Sequence, residues 1–175
     1  GAVARIEVAF LRQTVVGERV RDPSEGLAYV GSGACLACHG AGSGGGPAGH
    51  WIASRHSRAF HTLSSDQARE LVRNREEYED ITDPSAEPRC LACHATAAQN
   101  PLATFAGGFD RREGVGCESC HGPGAAYTTP QIMGDRQAFL ANGGQRPTEQ
   151  TCRRCHRDAG FRYLEMLERI RHWGG

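Results

Sequence analysis

The chain has 175 residues, with 20 basic and 20 acidic side chains and a formal net charge of zero. That length suits one domain with a single core; no basic tract marks a nucleic-acid footprint, and no apolar run reaches the ~18 to 20 residues of a membrane-spanning helix. With 39% hydrophobic residues, 7% aromatics and 23 glycines, side chains alone predict a thin interior that a bound cofactor would help to fill.

Residues 1–30 form a leader. Within it "RIEVAF" alternates, with Ile6, Val8 and Phe10 on one side, and predicts a strand paired with part of "QTVVGERVRD". Such a two-stranded unit leaves edges that pack on its own domain or pair with another subunit. The opening "GAVARIEVAF" lacks the basic and apolar regions of a signal peptide, which fits either a cytosolic chain or an exported chain already cleaved.

Residues 31–175 form the second unit. It begins with "CLACH" at 35–39, followed by a loop, "GAGSGGGPAG", at 40–49, which has no lysine and so is not a phosphate loop. "HWIASRHSRAFH" at 50–61 reads as an amphipathic helix running on to residue 63 and carries three histidines. "SSDQARELVRNREEYED" predicts a second helix, with Ser64 and Gln67 as a capping box and Pro84 and Pro88 beyond its end. A second "CLACH" lies at 90–94. A third motif, "CESCH", sits inside "GVGCESCHGPG", where glycines would let backbone approach a flat cofactor. Residues 122–147 look loose. "CRRCH" at 152–156 then leads into "FRYLEMLERIRHW", in which Phe161, Leu164, Leu167, Ile170 and Trp173 predict a buried helical stripe.

All eight cysteines fall in these four C-x-x-C pairs, and each second cysteine is followed at once by histidine: His39, His94, His121 and His156. A disulfide framework does not call for histidine, and two four-cysteine zinc sites would leave it idle. With 8 histidines in the chain, four such neighbours by chance have a probability on the order of a few in a million. C-x-x-C-H as a haem c attachment site uses every residue. Cys35 and Cys38, Cys90 and Cys93, Cys117 and Cys120, and Cys152 and Cys155 would each form thioethers to the two vinyl groups of one haem, and the adjoining histidine would be the proximal iron ligand. The sequence therefore predicts four haem c groups that organise a mainly α fold of low regular structure, with a short N-terminal β element.

Thioether attachment takes place outside the cytoplasmic membrane, so the expected location is periplasmic or extracellular, with a leader peptide already removed. Haem propionates would make the loaded protein more acidic than its formally neutral chain. The all-arginine complement fits genome composition or heat adaptation, and equally a need for planar forks that grip carboxylates.

Four histidines remain for the sixth iron position: His50, His56, His61 and His172. Four irons and four spare imidazoles match one for one, and bis-histidine ligation lowers the potential relative to methionine–histidine ligation and closes the metal to small molecules. Met133 and Met166 are the alternative ligands, with Met166 better explained as core. On a continuous helix His50 and His61 would differ by about 20° and lie about 16.5 Å apart, with His56 about 120° away. Such histidines cannot share one ion, but they can serve separate haems around a common rod.

The segments "YVGSGACLACH", "HWIASRHSRAFHTL", "CLACHATA", "GVGCESCHGPG" and "CRRCH", across residues 29–156, resemble the cytochrome c554 family of multihaem cytochromes. The resemblance implies a mostly helical fold with closely stacked haem pairs, a role in electron relay, and His56 as a distal ligand. In size and haem count the chain is also similar to tetrahaem cytochromes that polymerise into extracellular conducting filaments, where a histidine of one subunit can ligate a haem of the next. Three functions stand on this basis: electron transfer between redox proteins; the same chemistry in a homopolymer, with haems stacked or ligated between subunits; and reduction of a small nitrogen oxide at an open haem. The third finds no acid–base pair to support it, and an electron carrier rather than an enzyme is expected.

Overall fold

The computed structural model describes the backbone of residues 6–10 and 13–17 and the full structure of residues 27–40 and 46–172. The leader strands form as expected: β1 (Ile6–Phe10) pairs antiparallel with β2 (Gln13–Gly17), Val8 opposite Val15. The rest is mainly α. A second, minimal sheet joins β3 (Ala28–Tyr29) in parallel to β4 (Thr104–Phe105). The helices are α1 (Ser32–His39), α2 (Gly46–Ala53), α3 (Ala59–Thr62), α4 (Asp66–Arg73), α5 (Pro88–His94), α6 (Glu118–His121), α7 (Pro130–Met133), α8 (Arg136–Ala141), α9 (Glu149–Arg153) and α10 (Tyr163–Ile170).

The histidine segment is not the continuous rod its periodicity predicts. It breaks between α2 and α3, because serine side chains offer the backbone other partners. Ser54 Oγ donates to the Trp51 carbonyl at 2.7 Å and accepts from the His56 N–H at 3.2 Å. Ser57 Oγ donates to the Ile52 and Ser54 carbonyls at 3.0 and 3.1 Å. The break frees His56 from the helical register of its neighbours.

Caps account for several other boundaries. The N-cap of α4 is Ser65 rather than Ser64; its Oγ accepts from the Ala68 N–H at 3.1 Å, with Asp66 in the first turn and Arg73 in the last suiting the helix dipole. This helix stops at Asn74, well before Pro84. Pro88 instead opens α5 at its first turn, where a missing N–H costs nothing. The glycine loop is shorter than predicted, since α2 already begins at Gly46. The segment expected to be loose contains α7 and α8, the latter capped by Asp135, whose carboxylate accepts from the Gln137 and Ala138 N–H groups at 2.8 and 2.9 Å.

The thin interior is borne out among the described residues. Leu63, Leu91 and Ala95 form the apolar centre, with Phe60, Cys90 and Ala98 against them. The predicted C-terminal stripe is only partly realised: Leu167 and Ile170 are half-buried, but Leu164 is 73% exposed, and Phe161 precedes α10 rather than lying on it. Trp173 is outside the described residues.

Candidate haem-binding site

Three of the four motifs end a helix on their histidine: His39 closes α1, His94 closes α5 and His121 closes α6. Helical spacing of i, i+3 and i+4 puts both thiols and the imidazole on one side of the backbone. In the fourth motif α9 carries Cys152, and the chain then turns through Cys155 and His156. All eight cysteines are free of disulfides. Among the described residues no three histidine, cysteine or acidic side chains converge on one metal-ion position.

The motifs approach one another through their cysteines. Cys35 of the first motif lies beside Cys117 of the third, and Cys93 of the second beside Cys155 of the fourth. Cys120 of the third motif lies within electrostatic reach of Cys152 of the fourth. Arg154 spans the same junction, donating to the Ser119 carbonyl at 3.0 Å. The four motifs thus run in space in the order first, third, fourth, second.

The imidazoles pair across the same framework. The rings of His56 and His156 have centroids 6.0 Å apart at 73°, and those of His121 and His172 lie 5.9 Å apart at 79°. Two imidazoles on opposite sides of one iron, with metal–nitrogen bonds of about 2 Å, place their centroids about 6 Å apart. Each pair joins one motif histidine to one spare histidine.

Hydrogen bonds set the tautomers to match. His121 Nδ1 lies 3.2 Å from the Gln145 carbonyl, His94 Nδ1 lies 2.8 Å from the Ala59 carbonyl, and His172 Nδ1 lies 3.0 Å from the Ile170 carbonyl. A carbonyl only accepts, so Nδ1 carries the proton in each and Nε2 keeps the lone pair that a metal needs. Burial, aided by the facing His156, holds His56 below its ordinary pKa; burial, aided by His172 and His39, does the same for His121. Both therefore favour the neutral, ligating form. Haem fits these residues.

The other spare histidines sit differently. His50 is exposed in the last turn of α2; His61 is exposed on α3, edge-on to Phe60 at 6.0 Å and in the field of the Asp110 carboxylate. Among the described residues no ring contact joins either to a motif histidine. Met133 is 39% exposed and Met166 half-buried.

Several residues that hold the site went unrecognised in the sequence. Glu118, between the cysteines of "CESCH", is 2% exposed, and its carboxylate accepts from the N–H groups of Val30, Gly31 and Gly124 at 2.9, 2.8 and 2.6 Å. Glu113 takes the next donor, the Ser32 N–H, at 2.7 Å. Two carboxylates from the third-motif region thus cap α1, where helix-end donors and the dipole favour negative charge. Trp51 Nε1 donates to the Val115 carbonyl at 2.9 Å, and the Val115 N–H donates to the His56 carbonyl at 2.9 Å. Gly114, at φ 82°, passes so close that a Cβ there would lie 2.5 Å from the His56 carbonyl oxygen. This glycine permits close approach to the histidine backbone. The only sequence signal for Glu118 was an acid inside an otherwise ordinary motif.

These features define a c-type cytochrome. The chain belongs to the family described as cytochrome c554 and c-prime, whose pattern matches residues 34–122, the stretch that contains the first three motifs. It is 27% identical over 141 residues to cytochrome c-554 of Nitrosomonas europaea, an alignment covering 73% of this chain and 57% of that protein, so it spans little more than half of the relative's length. No solved structure matches the chain. No helix among the described residues is long and apolar enough to cross a membrane.

Proposed function

We propose that the chain binds four haem c groups through its four motifs and relays electrons between redox proteins outside the cytoplasm. The observation that carries this is the pair of histidine couples at iron-spanning separation, His56 with His156 and His121 with His172. Bound haem supplies reversible one-electron chemistry at its iron. The chain's residues do the rest: eight cysteines would anchor the groups, and His39, His94, His121 and His156 would ligate their irons. His56 closes the site of the fourth motif and His172 that of the third. The neighbouring cysteines would set the four groups side by side in the order first, third, fourth, second. Backbone carbonyls at Ala59 and Gln145 keep the proximal rings of His94 and His121 in the ligating tautomer.

His50 and His61 are proposed as the donors for the remaining two irons, in this chain or in a neighbouring copy. Their exposed positions favour weighing the homopolymer as a second reading, and sedimentation of the loaded protein separates the two: a single monomeric species would end the polymer reading. For the main reading, intact mass should exceed that of the apo chain by four haems, and paramagnetic resonance should show low-spin iron. His56→Ala and His172→Ala should each turn one low-spin signal high-spin. A mass short of four haems, or spectra indifferent to both substitutions, would overturn it.

A further inference from the structure

The fourth motif carries a device that the others lack among the described residues. Phe161, five residues beyond His156, stacks on its imidazole with centroids 4.9 Å apart and planes only 14° from parallel. Phe161 is itself gripped. The Arg153 guanidinium lies over its ring, 4.8 Å from the centroid. The same side chain donates through Nη2 to the Phe161 carbonyl at 3.0 Å, through Nη1 to the Asp158 carbonyl at 3.1 Å, and through Nε to Glu149 at 3.2 Å. Its fork is therefore locked by three acceptors and one aromatic face, a geometry that lysine could not reproduce.

A stacked ring restricts rotation of the imidazole about its Cβ–Cγ bond. For a ligand whose partner ring, His56, stands at 73° to it, that orientation decides how the two imidazoles overlap with the iron orbitals. It therefore governs both the anisotropy of the low-spin signal and the potential. The nearby guanidinium adds a positive charge that favours the reduced, less positive iron.

We propose that Phe161, clamped by Arg153, is a positioning residue that fixes the plane of the His156 imidazole and with it the spectroscopic signature and potential of the fourth-motif haem. The proposal rests on His156 being an iron ligand. The test uses the loaded full chain, with haem content checked by mass, paramagnetic resonance recorded on the oxidised form and potentials read by spectroelectrochemistry. Phe161→Leu should move or split one highly anisotropic low-spin signal while the others stay in place, and Phe161→Tyr should restore it. Arg153→Gln should lower the potential of one haem without loss of haem. Four haems with an unchanged spectrum and unchanged potentials in both Phe161→Leu and Arg153→Gln would overturn the proposal. If Phe161→Leu fails to load the fourth haem, Arg153→Gln decides, and an unshifted potential there overturns it. A wild-type protein short of four haems, or one whose signals ignore His156→Ala, would instead point to failure of the ligand assignment beneath it.

Discussion

Glu118→Ala is expected to destabilise the fold more than any change to a surface ion pair. The carboxylate is 2% exposed and receives three backbone donors, from Val30 and Gly124 on Oε1 and from Gly31 on Oε2. Alanine removes every acceptor at once. Each stranded donor costs about 1–3 kcal/mol. The three losses are coupled and water will reach the part-buried Val30 group, so a total of about 3–6 kcal/mol is expected. That is a large share of the ~5–15 kcal/mol that holds a domain together. Glu118→Gln separates charge from bonding. Its carbonyl can keep the two donors on the Oε1 side, but its amide meets the Gly31 N–H with another donor, for a cost of about 1–3 kcal/mol. The assay is chemical denaturation of the loaded protein followed by circular dichroism, with haem content checked by mass. An alanine variant within about 1 kcal/mol of wild type would refute the assignment of Glu118 as the staple between the first and third motifs.

Glu113 should make stability depend on pH. Burial raises its pKa from the ordinary 4.5, with repulsion from Glu118 and Asp110 adding to this and the Ser32 bonds opposing it, and its buried Oε1 has no hydrogen-bond partner. The native state then holds this proton more tightly than the unfolded chain, so stability falls as pH rises from 4.5 toward the raised native value and is level above it. Relative to Glu113→Gln, wild type should lose stability across that window, and parallel curves for the two proteins would count against it. Trp51→Phe removes the donor to the Val115 carbonyl and should cost about 1–2 kcal/mol by denaturant melt; it should also broaden the low-spin signal that depends on His56. No change in either would show that the indole does not hold this segment.

The cofactor class was legible in the sequence because its chemistry is local. Two thiols and an imidazole at fixed spacing reach one porphyrin whatever the rest of the chain does, and four repetitions leave no cysteine over. The leader hairpin was legible too, since alternation of Ile6, Val8 and Phe10 is a property of consecutive residues. Helix ends were less so: Ser64 and Ser65 offer the same hydroxyl one residue apart, and only packing chose between them. The break at Ser54–Ser57 was hidden because serine is tolerated within helices. The competition of its hydroxyl with the backbone is settled by what the neighbouring residues, here Trp51 and Val115, hold in place.

What the sequence by itself determined is the inventory: four C-x-x-C-H motifs, four further histidines and too little apolar surface for an ordinary core. Which histidine faces which was decided by tertiary structure alone. His56 meets His156 from 100 residues away in the chain, and His172 reaches back to His121. Neither meeting has a local signature, because spacing along a chain constrains direction only within one element of secondary structure. The spatial order of the motifs has the same origin. It depends on Glu118 and Glu113 capping the first-motif helix, contacts that span more than eighty residues. No periodicity could have revealed them.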